Sequence, residues 1–462
     1  MSSRKYIVTW VALMAMMLVL ASCGNGKRSM ERLVAQLAGD GTVDAADWKQ
    51  LVAAVEANRD DYAQLYEDGK LQPKALEAYV SDVMANRRPP REVKFTGREQ
   101  APLVFRIYRE RSGSMTPYDS PQGDGSYAAA ITALRNRLPG KTVVEEIGDQ
   151  GYTDFGAIFD QILNKTGERE VSVLVTDMIY SVRGMQDVNP QRVFADMQGM
   201  ITSVFKEQVA HKCVLLVQME ASYDGPYYCY DGSVRTVHGR RPYYIIMVGS
   251  REAITRIATE DNYRAFADFK TLKGYRQMYL YDTGKLYEPY YSILLSGPEV
   301  SGRFVPERGQ SECITSVQDV EADRDGKVKL AVAVDMRGML VDERYLTDVT
   351  NYRVLADDPV RIERVRPITD KDLSASGRKY AKEATHLMVL SMERVSHKQQ
   401  VGILLQNRLP GWVAKSSSDD DRTVDGSTTF GLRYLMEGIY DAYHRMAKDD
   451  MAYFEIALKL DK

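Results

Sequence analysis

The sequence is short of the residues that build disulfides and zinc sites. It has four cysteines and five histidines among 462 residues, and none of them shows C-x-x-C or H-x-x-x-H spacing. The common zinc motifs are therefore excluded. Cys23 stands in the N-terminal segment, and the rest of the chain has Cys213, Cys229 and Cys313 available for oxidation. At most one internal disulfide is predicted.

A strong charge of either sign is also missing. The formal net charge is -3 at pH 7, which gives no reason to expect nucleic acid as a partner. No Walker loop or Gly-rich dinucleotide turn occurs, and we expect no enzymatic activity. What is present is 44% hydrophobic and 27% charged residues, a composition typical of folded domains. A length of 462 residues predicts two or three of them.

The only long apolar run covers residues 6–21, and it follows Arg4 and Lys5. It is too short for a membrane span and is typical of a signal peptide, which we place at residues 1–22. The run ends in L-A-S-C, which resembles the bacterial lipobox. That resemblance implies cleavage before Cys23, lipid attachment to its sulfur, and a cell-envelope location. Gly24 is not the acidic residue that retains many lipoproteins in the inner membrane, so we expect the outer membrane, facing the periplasm, with exposure at the cell surface as the alternative. A plain secretory signal is the alternative.

Residues 23–91 form a helical N-terminal region and linker in this interpretation. Apolar residues recur at helical spacing, and R-R-P-P-R at 87–91 ends the pattern because proline interrupts helices. Within the region, G-D-G-T-V-D at residues 39–44 is similar to half of a calcium-binding loop. A helix capped by Asp44 is the simpler interpretation.

Three short segments at residues 103–177 carry a resemblance to a known family. The strand-like run at 103–110 leads into E-R-S-G-S-M at 110–115, G-Y-T-D-F-G follows at 151–156, and V-L-V-T-D at 173–177. In this order the segments resemble the metal-site loops of von Willebrand factor A (vWA) domains, whose first loop reads D-x-S-G-S-M. The resemblance implies an α/β fold with a doubly wound, mostly parallel sheet at about 95–270. Alternating strand and helix patterns over this range are consistent with it.

The same resemblance implies a site for Mg²⁺ or Mn²⁺. Its ligands would be Glu110, Ser112, Ser114, Thr153 and Asp177, held directly or through water. Hard oxygen donors suit these ions. Glu110 stands where the family has Asp, and its extra methylene moves the carboxylate by about 1.5 Å. The alternative is a vestigial site in which Ser112 and Ser114 only hydrogen-bond the loop and Glu110 pairs with Arg109 or Arg111.

Residues 220–241 lack a helical period and hold four closely spaced tyrosines. Strand and turn patterns predict a hairpin insertion that overhangs the metal-site loops. Tyrosine is favoured at interfaces because it buries a large ring at low entropic cost. We therefore predict partner contacts by Tyr223, Tyr227, Tyr228 and Tyr230. The alternative is that these rings form the core of the hairpin.

From residue 275 to 462 the pattern changes to short strands of period two, which predicts a mostly β C-terminal domain with antiparallel pairing. S-S-S-D-D-D at 416–421 is interpreted as a solvated loop. Together these observations predict a lipid-anchored envelope protein whose vWA-like domain binds a protein partner or mediates adhesion. The alternative is a structural scaffold with a vestigial metal site, in which the C-terminal β domain makes the contacts.

Overall fold

The computed structural model describes residues 26–39, 41–67, 69–87, 90–95, 101–139, 142–382, 384–447 and 451–462. They divide into two compact units, one ending at Pro102 and the other Leu103–Lys462. The predicted boundary between a vWA-like and a β domain, near residues 270–275, falls inside the second unit. The predicted signal peptide, residues 1–22, and the predicted lipidation site Cys23 lie outside the described residues. In the described part of the chain, no helix is both long and apolar enough to cross a membrane.

The N-terminal unit is mainly helical. Its elements are α1 (Gly26–Leu37), β1 (Thr42–Val43), α2 (Ala45–Ala57), a 3-10 helix (Arg59–Leu65), β2 (Tyr66–Glu67), β3 (Lys70–Leu71), α3 (Pro73–Ala85) and β4 (Lys94–Phe95). Strand β1 pairs with β4 in parallel, and β2 pairs with β3 antiparallel. The side chain of Asp44 accepts hydrogen bonds from the backbone N–H groups of Ala46 and Asp47, so the predicted helix cap is present.

The second unit begins with a mixed six-stranded sheet and its helices. Its elements are β5 (Val104–Glu110), α4 (Ser126–Asn136), β6 (Val143–Ile147), α5 (Phe155–Lys165), β7 (Glu170–Thr176), α6 (Pro190–Phe205), β8 (Lys212–Tyr228), β9 (Val234–Ser250), α7 (Arg251–Thr259), α8 (Asp261–Ala267) and β10 (Tyr275–Tyr281). The strand order is β10-β8-β9-β7-β5-β6. Strands β7, β8 and β9 are apolar and buried over most of the sheet, as expected for strands covered on both faces.

The fold of this part of the chain is mixed α/β, as predicted. The prediction that its sheet is mostly parallel is wrong. Strand β5 pairs in parallel with β6 and β7, whereas the β7–β9, β8–β9 and β8–β10 pairs are antiparallel. The predicted strands at 213–219 and 243–249 are parts of one long hairpin, joined by a short turn at 229–233. A turn of that length can only join antiparallel neighbours, because a parallel crossover needs a dozen or more residues.

The remainder of the second unit is rich in β structure. Its elements are β11 (Tyr291–Leu294), β12 (Arg303–Pro306), β13 (Ser316–Glu321), β14 (Val328–Val334), α9 (Glu343–Thr347), β15 (Tyr352–Leu355), β16 (Arg361–Pro367), α10 (Ala375–Ala381), β17 (His386–Met392), β18 (Gln399–Gln406), α11 (Trp412–Lys415), β19 (Ser417–Ser418), β20 (Thr429–Phe430), α12 (Leu432–Met446) and β21 (Ala452–Leu460). The sheets have the orders β11-β14-β17-β16 and β12-β13-β21-β18-β15, with a small β19-β20 pair. Only β13–β21 and β19–β20 are parallel among these described pairs.

Candidate metal centre

The five predicted ligands lie together at the carboxyl edge of the parallel strands. Glu110 is the last residue of β5, and Ser112 and Ser114 follow at the start of a 3-10 helix, Gly113–Asp119. Asp177 directly follows β7. Because β5 and β7 are adjacent and parallel, the segments after them leave the sheet at the same edge.

Thr153 is brought to this edge by its own loop. Its backbone N–H donates to the carbonyl of Ser181 at 2.7 Å, and the N–H of Ser181 donates back at 3.1 Å. The next residue, Asp154, caps helix α5 by accepting from the backbone of Gly156. These contacts fix the backbone at Thr153 and at the residue that follows it. The Thr153 hydroxyl donates a hydrogen bond to Oε1 of Glu110 at 2.6 Å.

Glu110 is 5% exposed, and two threonine hydroxyls donate hydrogen bonds to its carboxylate. Thr153 bonds to one oxygen, and the Thr176 hydroxyl donates to Oε2 at 2.5 Å. Thr176 was missed as a site residue, although it stands next to Asp177 in the T-D pair of the third motif. Its hydroxyl also accepts from the N–H of Met178 at 2.9 Å. The longer acid is thus accommodated by a pair of threonines.

Asp177 is 1% exposed and has one carboxylate oxygen without a hydrogen-bond partner. Its Oδ1 accepts from the N–H of Ile179 at 3.1 Å, while Oδ2 has none among the described residues. Next to it, the hydroxyls of Ser112 and Ser114 lie 3.0 Å apart. A buried carboxylate oxygen without a partner is costly, and the Ser114 hydroxyl interacts with the same carboxylate, so these oxygens are chemically suited to hold a cation.

The pKa values of the two buried acids are also consistent with a cation at this place. Burial, followed by the negative charge of Asp177, raises the pKa of Glu110 above its ordinary value, and the hydroxyls of Thr153, Thr176 and Ser112 oppose the rise. Burial also raises the pKa of Asp177, against the hydroxyl of Ser114 and the N–H of Ile179. Two buried acids that repel each other are stabilised when a positive charge is placed between them.

The donor set therefore fits a hard divalent cation. All five side chains offer oxygen, the donor that Mg²⁺ and Mn²⁺ prefer. No cluster of three or more His, Cys, Asp or Glu side chains with metal-binding geometry occurs in the described residues. Two of the five predicted ligands, Glu110 and Asp177, are carboxylates, so hydroxyls and water would have to complete the coordination of an ion.

A buried arginine lies beside the centre. Arg241 is 2% exposed and donates to the carbonyl oxygens of Asp425 at 3.1 Å and Thr428 at 3.2 Å. Its guanidinium lies 4.6 Å from the ring centroid of Tyr227. Its positive charge opposes the rise in the pKa of Asp177. Arg241 thus partly neutralises the site from one side.

The four tyrosines predicted to contact a partner separate into two groups. Tyr223 and Tyr227 are buried, at 0% and 1% exposure, so for these two the geometry is that of hairpin core. Tyr228 is 50% exposed, and Tyr230 is half-buried and stacked on Phe430 at 5.5 Å. The separation follows strand alternation, since residues 223 and 227 share one face of β8 and residue 228 lies on the other.

The hairpin does overhang the site loop. A Cβ added at Gly113 would lie 3.2 Å from Cε2 of Tyr228, so the ring rests on the peptide between the two serines. The Tyr118 ring, in the 3-10 helix after the loop, packs edge-on against Tyr223 with centroids 4.9 Å apart. The hairpin therefore covers one side of the candidate centre.

The prediction of a solvated loop at 416–421 is wrong for both ends of the run. Asp421 is 4% exposed, and its carboxylate accepts hydrogen bonds from the backbone N–H of Tyr230 at 3.0 and 3.2 Å. Ser416, at the other end of the run, is also buried. A run of polar residues gives no local sign of a distant backbone donor, and this tertiary contact overrides the composition.

No family model, curated protein or solved structure matches this chain in the three comparisons with known proteins. The function is therefore argued from the site alone.

Proposed function

We propose that this chain is a lipid-anchored envelope protein with a vWA-like domain that binds a protein partner through a divalent cation. The observation that supports this most strongly is the convergence of Glu110, Ser112, Ser114, Thr153 and Asp177 at one sheet edge. These residues come from three separate segments of the chain. Their meeting beside an unpartnered Asp177 oxygen is unexpected for three ordinary loops.

The doubly wound vWA-like fold is part of this proposal. The parallel trio β6-β5-β7, with the motif loops at its carboxyl edge, supports the likeness. The antiparallel β8–β9 hairpin departs from the resemblance. The proposed site uses only the trio and the loops that follow it, so this departure leaves its ligands in place.

In this function the cation would supply a positive, partly hydrated contact for an oxygen ligand on the partner. Glu110 and Asp177 would balance its charge. Ser112 and Ser114 would orient the ion and its waters, while Thr153 and Thr176 would fix the Glu110 carboxylate. The half-exposed ring of Tyr228 lies beside this face and would border the partner.

Thermal unfolding with metal is the first test. Millimolar MgCl₂ or MnCl₂ added to chelator-treated protein should raise Tm by mass action. Asp177→Ala should abolish the rise, and Glu110→Asp should increase it by restoring the shorter acid of the family. Asp196→Ala is the matched control, because Asp196 is an exposed acid on α6 whose side chain is 77% accessible. The absence of a shift in wild type and in Glu110→Asp would contradict the metal function.

The anchor is tested separately. Cys23→Ser should move the protein from the membrane fraction to the soluble fraction, since the lipid supplies the hydrophobic energy of attachment. Intact-mass measurement should show the loss of the lipid mass. A Cys23→Ser variant that stays in the membrane and keeps that mass would contradict the lipoprotein assignment.

A structural scaffold is the second candidate, and one observation favours it. Both oxygens of Glu110 already accept hydrogen bonds, and Arg241 already places positive charge near Asp177. Such a site could be stable without an ion. Ser112→Ala and Leu355→Ser, the latter on the exposed edge strand β15, should separate the candidates when crosslinked partners are recovered. Loss only with Leu355→Ser would favour the scaffold.

A further inference from the structure

The hairpin continues well past the central sheet, and we call this extension, residues 220–242, the arm. Strand β10 pairs with β8 only as far as Met219, and β7 pairs with β9 only as far as Tyr244. Beyond these points the ladder pairs of the described strands join only β8 and β9, out to Tyr228 opposite Val234, and one further backbone bond ties Glu220 to Gly274. A two-stranded ribbon is marginally stable by itself, so the position of the arm depends on what else holds it.

On one side, the arm contacts the candidate metal centre. The ring of Tyr228 rests on Gly113, and a Cβ at Gly225 would lie 3.1 Å from Pro117. Tyr118 donates a hydrogen bond to the carbonyl of Pro242. The peptide that joins Ser112 to Ser114 is therefore packed directly under the end of the arm.

On the other side, the arm is held by a segment from far along the chain, residues 416–431, which we call the strap. The Asp421 carboxylate accepts from the N–H of Tyr230 in the turn and from the hydroxyl of Tyr227 at 3.4 Å. The carbonyl oxygens of Asp425 and Thr428 accept from Arg241 at the base. The strap thus contacts the arm at its turn and at its base.

We propose that Asp421 is a positioning residue for the metal centre. By binding the turn of the arm, it keeps the Tyr228 ring against Gly113 and so keeps the hydroxyls of Ser112 and Ser114 beside Asp177. The role rests on the proposed metal function. It extends that function to a residue in a distant segment that contacts none of the five ligands.

The physical reason is the strength and location of the contact. A buried backbone N–H that loses its acceptor keeps the cost of desolvation, so the N–H of Tyr230 requires the Asp421 side chain as its acceptor in either protonation state. Removing the carboxylate leaves the N–H of Tyr230 without that acceptor at the point where the ribbon reverses. The serine loop would then sample more conformations and hold an ion less tightly.

The test measures the affinity of the protein for Mn²⁺, which is the only ligand added. Calorimetric titration gives the affinity, and the electron paramagnetic resonance signal of unbound Mn²⁺ checks it. The variants of the full chain are Asp421→Ala, Asp421→Asn and Tyr228→Ala, with Asp420→Ala as the matched control. Asp420 is the exposed neighbour that pairs with Arg422. Near-UV circular dichroism, recorded well below Tm, verifies that each variant is folded.

We expect Asp421→Ala to weaken Mn²⁺ binding about tenfold, which corresponds to about 1.4 kcal/mol. Asp421→Asn should restore affinity to within about twofold, because its amide oxygen can still accept from Tyr230. Tyr228→Ala should show the same loss as Asp421→Ala, and it keeps the inference testable if that variant fails to fold. Asp420→Ala should leave affinity unchanged.

The outcomes distinguish the two proposals. If wild type binds no Mn²⁺, the metal function fails and the positioning role fails with it. If wild type binds Mn²⁺ and folded Asp421→Ala or Tyr228→Ala binds it equally well, only the positioning role fails. Equal losses in Asp420→Ala and Asp421→Ala would also overturn it, because the effect would then be a general consequence of removing charge.

Discussion

The two halves of the central sheet are built differently. In the half formed by β5, β6 and β7, strands are parallel and separated by helices, and the loops at their carboxyl edge carry the acids and hydroxyls of the candidate centre. In the half formed by β8, β9 and β10, strands are antiparallel neighbours, and the long hairpin continues past the sheet as the arm. The first half thus provides the donors, and the second provides a cover for them.

This difference shows that the chemistry and the enclosure of the centre have separate origins. The donors depend on short segments at strand ends, which any parallel arrangement of β5 and β7 would bring together. The cover depends on tertiary contacts of the arm with two distant segments, the site loop and the strap. Substitutions in the two halves should therefore have different consequences, and four predictions test this.

The largest expected effect lies on the buried face of the arm. Tyr223→Ala should destabilise the protein by about 3–5 kcal/mol, because it removes a fully buried ring from the aromatic cluster with Tyr118. Tyr228→Ala, on the exposed face, should change the unfolding free energy by no more than about 0.5 kcal/mol. Urea unfolding at 25 °C measures both. Equal effects would mean that the two faces of the arm are not distinct.

The next largest effect is a pH dependence of the stability that Asp421, in the strap, contributes to the folded protein. Burial raises the pKa of Asp421 to about 6, with the N–H of Tyr230 and the hydroxyl of Tyr227 opposing the rise. The folded state then holds a proton more tightly than the unfolded state. The contribution of Asp421 to stability is greatest below its unfolded pKa of about 3.8 and is lost as the pH rises through 6.

Wild type should therefore lose stability relative to Asp421→Asn between pH 4 and pH 7, by up to about 3 kcal/mol. Chemical denaturation of both proteins across that range gives the difference directly, and the titration of all other groups largely cancels. Asp420→Asn is the control and should show no such trend against wild type. A difference that is independent of pH would mean that Asp421 ionises normally.

A smaller effect is expected for the donors in the parallel half. Asp177→Asn should stabilise the metal-free protein by about 1 kcal/mol, since it removes a buried charge and keeps an oxygen for the N–H of Ile179. The same variant should lose the Mn²⁺-dependent rise in Tm. Measurements with a chelator and with Mn²⁺ separate the two effects, and Asp196→Asn is the exposed control. If Asp177→Asn instead destabilised the metal-free protein, the charge of Asp177 would not lower its stability, and the prediction would be wrong.

The smallest effect is expected at the open edge of the parallel half. Val144 on β6 is 39% exposed, and β6 pairs only with β5 in the described sheet. Val144→Thr should change the unfolding free energy by no more than about 0.5 kcal/mol. Thermal unfolding of wild type and Val144→Thr measures this difference in stability. A large loss would show that this edge is covered by contacts beyond the described residues.

The parallel half could be predicted in detail because the residues that determine its structure lie close in sequence to the positions they fix. Strand ends, an N-capping Asp154 and the T-D pair all lie within a few residues of the positions that they fix. Thr176 was the exception, since a threonine at the end of a buried strand has many structural uses. Its hydrogen bond to Glu110 depends on the neighbouring strand, which sequence spacing does not specify.

The antiparallel half could not be predicted to the same extent. The apolar runs of β8 and β9 read the same whether their pairing is parallel or antiparallel, because both strands are buried on both faces. The burial of Tyr223 and Tyr227 could have been found from strand alternation, which places them opposite to Tyr228. The burial of Asp421 could not, since nothing near residues 416–421 indicates a partner in the hairpin.

The separation between the turn of the arm and the strap has a consequence for the order in which the protein is made. Asp421 lies 191 residues after Tyr230. A chain that grows at about 5–20 residues per second completes the arm roughly 10–40 s before the residue that secures it emerges. Contacts over such distances also close late because of the entropy of the intervening loop. During synthesis the serine loop and its acids can therefore assemble under an arm that has not yet been secured, and under the proposed metal function the ion site would be complete only when the C-terminal segment arrives.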